Sequence, residues 1–217
     1  MIHFLTYSDR NYRDKQETLV NLAYNEFNCI AQSRDSLICT DFYEKNREIL
    51  DKPRGAGYWL WKPYFIYEHL NLIDDGDILF YLDSGDSFKP ELLKELESVM
   101  SGRDYLFTPG VFDQKNYTKG DCFYLMGCNS DKYKNRPQLE AGILVFRKTP
   151  RVLEFAREWL EFCRNPQILT DTPNLFLENS PGFIDHRHDQ SILTNLVERE
   201  GLLSNDPIMR CYVKCNV

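Results

Sequence analysis

Ile78-Leu79-Phe80-Tyr81-Leu82-Asp83-Ser84-Gly85-Asp86 is the stretch on which the fold turns. Five apolar residues follow the turn Asp74-Asp75-Gly76-Asp77 and fit a strand buried on both faces. The strand runs directly into two carboxylates separated by Ser-Gly. Upstream, residues 2–7 read as a short buried strand. Residues 11–27 read as a helix with Tyr12, Gln16, Leu19, Ala23 and Phe27 on one stripe. A second strand is expected over 36–40 and a short helix over 42–49. Pro63 suits the first turn of a helix reaching about Leu70, and Pro90 opens another with Leu93, Leu96 and Met100 inward. Strands alternating with helices over residues 1–100 predict βαβ units. The fold class is α/β, with a Rossmann-like, mainly parallel central sheet flanked by helices.

The second half carries weaker periodicity. Strands are expected over 104–109, 139–146 and 209–213, and an amphipathic helix from Pro150 to Cys163. A further helix over 189–200 is stopped by Gly201. Residues 111–138 and 165–184 read as long loops of the kind that act as lids or binding loops. No Pro/Gly/Ser linker divides the chain, which reads as a single domain over residues 1–217.

Composition narrows the function classes. The 217 residues are 42% hydrophobic and 27% charged, as in an ordinary soluble globular protein. A net charge of −7 argues against nucleic-acid binding through a broad basic face. The longest apolar runs are five residues, so no membrane span is expected, and Met1–Leu5 shows no signal peptide. Seven cysteines, an odd number without a Cys-x-x-Cys pair, favour reduced thiols in a cytoplasmic setting over disulfides or structural zinc. Pairing of Cys211 with Cys215 is disfavoured by their spacing within an expected strand. Residues 210–215 look like a strand cut short, which suggests further domains after Val217.

Four segments carry candidate chemistry. Asp83 and Asp86 stand at a strand's carboxyl end, where open α/β sheets bind ligands, and are hard oxygen donors suited to Mn²⁺ or Mg²⁺. An acidic turn without function is the bland alternative. Arg54-Gly55-Ala56-Gly57-Tyr58-Trp59-Leu60-Trp61-Lys62-Pro63 places two cations around aromatics, just before a helix N-terminus that suits phosphate. It is neither a dinucleotide fingerprint nor a P-loop, and Trp59 and Trp61 equally fit a core. Asp185-His186-Arg187-His188-Asp189-Gln190-Ser191 opens a late helix. There Asp189 fits an N-cap or a general base, and the histidines fit structural hydrogen bonding. Finally, Glu140-Ala141-Gly142 puts small residues at the start of a strand, allowing close approach to the backbone.

In this order, Gly55–Pro63, Tyr81-Leu82-Asp83-x-Gly85, Glu140-Ala141-Gly142 and His186–Ser191 resemble nucleotide-sugar glycosyltransferases of the GT-A fold, over about residues 1–200. The resemblance implies a nucleotide-binding half over about 1–86 and an acceptor half over about 87–217. It implies a UDP-sugar donor contacted by Thr6, Tyr7, Arg54, Gly57, Trp61, Lys62, Asp83, Ser84, Gly142 and His188. It implies Mn²⁺ or Mg²⁺ held by Asp83 and Asp86, although the second carboxylate lies three residues on rather than two. No histidine follows His188 to complete the metal shell. Asp189 would be the base if configuration inverts, or would position the sugar or stabilise its charge if configuration is retained. The acceptor would be a carbohydrate or glycan hydroxyl. Two other classes remain. A nucleotidyltransferase or sugar-nucleotide pyrophosphorylase would want glycines where Ser8–Tyr12 has none. A non-catalytic carbohydrate-binding module would leave Asp83, Asp86, Arg54 and Lys62 without work.

Overall fold

The apolar run ending at Asp83 forms strand β3 (Ile78–Leu82), every residue of it buried, at the centre of the sheet in a computed structural model describing residues 1–202 and 206–214. The sheet has five strands in the order β2-β1-β3-β6-β5. These are β1 (Ile2–Ser8), β2 (Asn28–Ser33), β5 (Tyr105–Asp113) and β6 (Pro137–Arg147) around β3. β1 pairs in parallel with both β2 and β3, while β6 is antiparallel to β3 and β5. Four strands therefore share one direction and β6 alone is reversed, so the mainly parallel α/β sheet is present.

Period-two alternation along β3 splits the core. Leu79 and Tyr81 face a layer made by helices α2 (Trp61–Leu72), α4 (Pro150–Cys163) and α5 (His188–Arg199), including Ile66, Trp159 and Leu193. Ile78, Phe80 and Leu82 face the opposite layer, made by α1 (Arg13–Ala23) and α3 (Glu91–Val99), with Phe4 packed on Phe80 at 5.3 Å. α4 has the boundaries its sequence predicts, opened by Pro150 and by Thr149, whose hydroxyl accepts from Val152 N. Among the described residues no helix is long and apolar enough to cross a membrane.

Several expectations change. Residues 34–38 are a helical turn, not part of a strand. Ser33 and Ser36 close a reciprocal capping box there, and the second strand is β2, an edge strand that its pairing with β1 selects. The first helix begins at Arg13 after a 3₁₀ turn, and Tyr12 is exposed instead of joining the buried stripe. The helix expected over 42–49 is two short turns that meet at Asn46. α3 buries Leu92 and Leu96, leaving Leu93 only partly covered. Pro207–Cys211 is a 3₁₀ turn, followed by β7 (Val213–Lys214), which pairs with β4 (Ser87–Phe88). Cys211 is a free thiol, and Cys215 lies outside the described residues. The two expected loops contain short helices at Gly120–Leu125, Asp131–Lys134 and Pro166–Leu169. The rest of the second loop is tied down by Asp121, whose carboxylate accepts from the backbone of Leu175, Phe176 and Leu177 at 2.7–2.9 Å.

Between the second short turn and α2, residues Gly55 to Trp59 all have positive φ, a left-handed turn in which Gly57 has φ +102°. A Cβ at Gly57 would lie 2.6 Å from the Leu50 Cα. Gly57→Ala is therefore expected to destabilise the fold by about 2–4 kcal/mol, the left-handed penalty plus overpacking. Urea unfolding measures this, and a variant with the parental midpoint would contradict the packing described.

Candidate active site

The site lies beyond the carboxyl ends of β1 and β3. Asp83 leaves β3 with its N–H donating to the Gly142 carbonyl on β6 at 2.9 Å, and Asp86 N donates to Asp83 O at 3.0 Å to close the turn. Gly142 makes room for both side chains. A Cβ there would sit 3.0 Å from Asp83 Oδ2 and 3.2 Å from Asp86 Oδ2, so the two carboxylates lean over one small cradle. Tyr81 donates its hydroxyl to Asp83 Oδ1 from within the core. Burial, reinforced by that carboxylate, pushes the Tyr81 phenol well above its ordinary range, so it stays a proton donor.

The left-handed turn sets the aromatic wall. Three of its residues, Ala56, Tyr58 and Trp59, are not glycine, and each costs roughly 1–2 kcal/mol in this conformation. Local bonds hold them there: Tyr58 N to Arg54 O at 2.7 Å, Trp59 N to Gly55 O at 3.1 Å, and Trp61 Nε1 to Gly55 O at 3.0 Å. Trp61 stacks on Tyr7 with ring centroids 3.8 Å apart, and Trp59 stacks on His188 at 5.4 Å. His188 itself has φ +48°, so strain recurs on the facing segment.

Lys62 is the electrostatic centre. Its ammonium is buried, 3.3 Å from Asp83 Oδ1 and 3.2 Å from Asp189 Oδ2. Burial opposes its charge, but Asp189 and Asp83 outweigh it and hold the ammonium above its ordinary pKa. Asp189 is only 3% exposed. Burial raises its carboxyl to about 6 against the counter-pull of Lys62. The helix cap is Arg187, and Asp189 occupies the first turn of α5, so the expected N-cap role falls away.

Two adjoining cavities open here. One of about 510 Å³ is walled by Tyr7, Tyr12, Trp59, Trp61, Ser84 and Asp86 among others. The second, about 230 Å³, is walled by Lys62, Gly142, His188, Asp189 and Gln190 among others. Asp83, Trp59 and Arg187 border both. Of the sequence-predicted residues, Thr6 is fully buried in β1 outside these walls, and Gly57 packs on Leu50. Arg54 borders the smaller cavity, with its guanidinium held by Asp171 at 2.9 Å and Asp185 at 2.6 Å. His188 Nδ1 donates to the Leu169 carbonyl at 2.7 Å, and His186 bridges Lys119 N and the Ile168 carbonyl, both rings serving the loop. Tyr12, Trp59, Tyr81, Arg187 and Gln190 were not among the predicted site residues. Trp59, Tyr81, Arg187 and Gln190 lie inside motifs the sequence singles out, whereas nothing local marks Tyr12.

Asp83 and Asp86 over Gly142 are hard oxygen donors of the kind that could hold Mn²⁺ or Mg²⁺. No group of three or more His, Cys, Asp or Glu side chains able to hold a metal occurs among the described residues.

No protein-family model and no curated protein matches the sequence. Among solved structures, the chain is similar to a glycosyltransferase involved in glycosylation of the major capsid of PBCV-1. Identity is 13% and the TM-score 0.41, over 85% of this chain and 81% of that one. It is similar to mouse xyloside xylosyltransferase 1 in its apo form, with 12% identity, a TM-score of 0.46 and coverage of 93% and 70%. It is also similar to the galactosyltransferase LgtC in complex with donor and acceptor sugar analogues, with 14% identity, a TM-score of 0.37 and coverage of 90% and 70%. A fold hosts many chemistries, so function is weighed below on the cleft's own residues.

Removing the charge of Lys62 strands two carboxylates, one of them fully buried. Lys62→Met is expected to lose about 3–5 kcal/mol of stability. The sign with pH follows from Asp189. Its folded pKa is raised to about 6, so stability linked to this group is present when it is protonated and is lost as pH rises through that value. Lys62→Met should therefore be less stable at about pH 8 than at about pH 5, by a wider margin than the parent. Urea midpoints at the two pH values check this, and equal midpoints for variant and parent would place the ammonium elsewhere.

Proposed function

We propose that the protein is a metal-dependent glycosyltransferase that moves a sugar from a UDP-sugar to a carbohydrate hydroxyl. The joining of two chambers at Asp83 carries this reading. One chamber is aromatic and within the size range of small-molecule sites, and the other holds a buried carboxylate whose pKa lies near neutrality. The motif resemblance to GT-A enzymes supports it. The nucleoside would rest in the larger chamber beside the Tyr7–Trp61 stack, and the sugar would reach past Asp83 toward Gly142 and Asp189.

Asp83 and Asp86 would hold the divalent ion, which when bound neutralises charge on the leaving diphosphate. Tyr81 fixes one oxygen of Asp83, and Lys62 lies between Asp83 and Asp189. A carboxyl with a pKa of about 6 accepts a proton from an acceptor hydroxyl efficiently near neutral pH. If the reaction retains configuration, the same carboxylate faces the sugar and stabilises positive charge developing on it. On the floor of the smaller chamber Lys62, His188 and Asp189 are buried, which keeps the carboxylate that would meet the acceptor away from bulk water.

The direct test is a panel of sugar nucleotides with Mn²⁺, read as released UDP with and without glycan acceptors. Acceptor-stimulated release from one UDP-sugar, abolished by chelation, is expected, and no release from any of them would overturn the assignment. Asp83→Asn is expected to remove the metal dependence of UDP binding while the chain stays folded, since Asp83 is a third exposed at a strand end. Asp189→Asn should keep donor affinity and lose about 10²–10⁴ in transfer rate. Transfer at the parental rate by Asp189→Asn would remove it from the chemistry.

A further inference from the structure

We propose that Arg187 is the cation that receives the anionic, diphosphate part of the ligand, in place of Lys62 and Arg54. This rests on the nucleotide-sugar reading above for its ligand and on charge accounting for its residue. Lys62 is neutralised by Asp83 and Asp189, and Arg54 by Asp171 and Asp185. Neither offers an unpaired positive charge to an incoming anion. Among the described residues, the walls of the larger cavity carry Asp9, Asp83 and Asp86 and one cation, Arg187. Arg187 also borders the smaller cavity, so it stands with Asp83 at the junction where nucleoside and sugar sides meet.

The guanidinium is held for such a task. It lies over the ring of Phe112 at 4.4 Å and of Tyr117 at 5.1 Å, which orients its plane without using its N–H donors. The Arg187 backbone is fixed by its N–H donating to Tyr117 O at 3.0 Å. Among the described residues the ion pairs of the site join Lys62, Arg54 and Arg210 to carboxylates and do not include Arg187. The nearby Glu140 is engaged by Arg210 at 3.7 Å. A planar guanidinium with unspent donors is suited to bidentate contact with phosphate oxygens, which the compact ammonium of a lysine gives only as a point charge. Arg187 and Asp83 border the same cavity, so a divalent ion held by Asp83 and Asp86 would share the anion with the guanidinium.

Calorimetry tests this with UDP, uridine and inorganic pyrophosphate, each with Mn²⁺, on the parent, Arg187→Gln and Arg187→Lys. Arg187→Gln should weaken UDP and pyrophosphate about tenfold to hundredfold and leave uridine unchanged. Arg187→Lys should fall between. If Arg187→Gln fails to fold, Arg187→Lys decides. A several-fold loss for pyrophosphate with parental uridine binding supports the site, and parental pyrophosphate binding overturns it. Parental UDP affinity in Arg187→Gln overturns the inference and leaves the nucleotide reading standing, as does an equal loss for UDP and uridine. Arg187-dependent pyrophosphate binding without UDP binding keeps the anion site and removes the nucleotide reading. A parent chain that binds neither UDP nor pyrophosphate overturns both.

Discussion

A buried ammonium between two carboxylates organises this molecule. Lys62 comes from the first turn of α2, Asp83 from the end of β3 and Asp189 from the first turn of α5. These elements are far apart in sequence and meet at one charge. A buried cation is tolerated only when its partners are close, so the pair distances fix how α2 and α5 lie against the sheet. The same contact leaves Asp189 inside the protein, where low polarity raises its pKa toward neutrality. The constraint that locks the layers together is thus also the one that prepares the carboxylate for proton transfer.

Around that centre, backbone geometry that is unfavourable by itself is held by its neighbours. The left-handed turn from Gly55 to Trp59 turns two tryptophans toward the cleft and leaves Arg54 reaching across to Asp171 and Asp185. His188, also with positive φ, meets Trp59 from the other side. Both strained segments border the smaller cavity, a placement typical of sites whose shape must be set before ligand arrives. The long segment after Pro166–Leu169 has little regular structure, yet three of its backbone N–H groups converge on Asp121 and Lys119 donates to its Thr170 and Thr172 carbonyls. It behaves as a fixed wall rather than a loose loop.

The sheet supplies the rigid frame. β3 is buried on both faces and β6 runs back beside it, bringing Gly142 opposite Asp83. Reversal of β6 matters for this reason. An antiparallel neighbour presents the start of its chain at the carboxyl end of β3, where the absence of a side chain at Gly142 opens the cradle. A fully parallel neighbour would have presented its carboxyl end there.

The sequence alone determined the parts whose signal is local. Five apolar residues before Asp83 define β3, because only a doubly covered strand hides such a run. Pro150 and the 3.6-residue spacing of Val152, Ala156 and Trp159 define α4. Asp83, Asp86, Gly142 and Asp189 were legible as candidates because they stand at the ends of elements, although an acidic turn, a packing glycine or a cap would read the same way. Only the tertiary structure decided the rest. β2 is an edge strand whose identity comes from hydrogen bonds to β1, and Ser36 contributes to a cap that a strand reading misses. Ala56, Tyr58 and Trp59 give no hint of positive φ, because packing and not propensity holds them there. Lys62 and Arg54 read as free cations until the chain brings two aspartates to each, while Arg187, one cation among several in the sequence, has no carboxylate partner among the described residues at the junction of the cavities. Charge pairing across long sequence separations has no local signature, and it fixes which residues remain to meet a ligand.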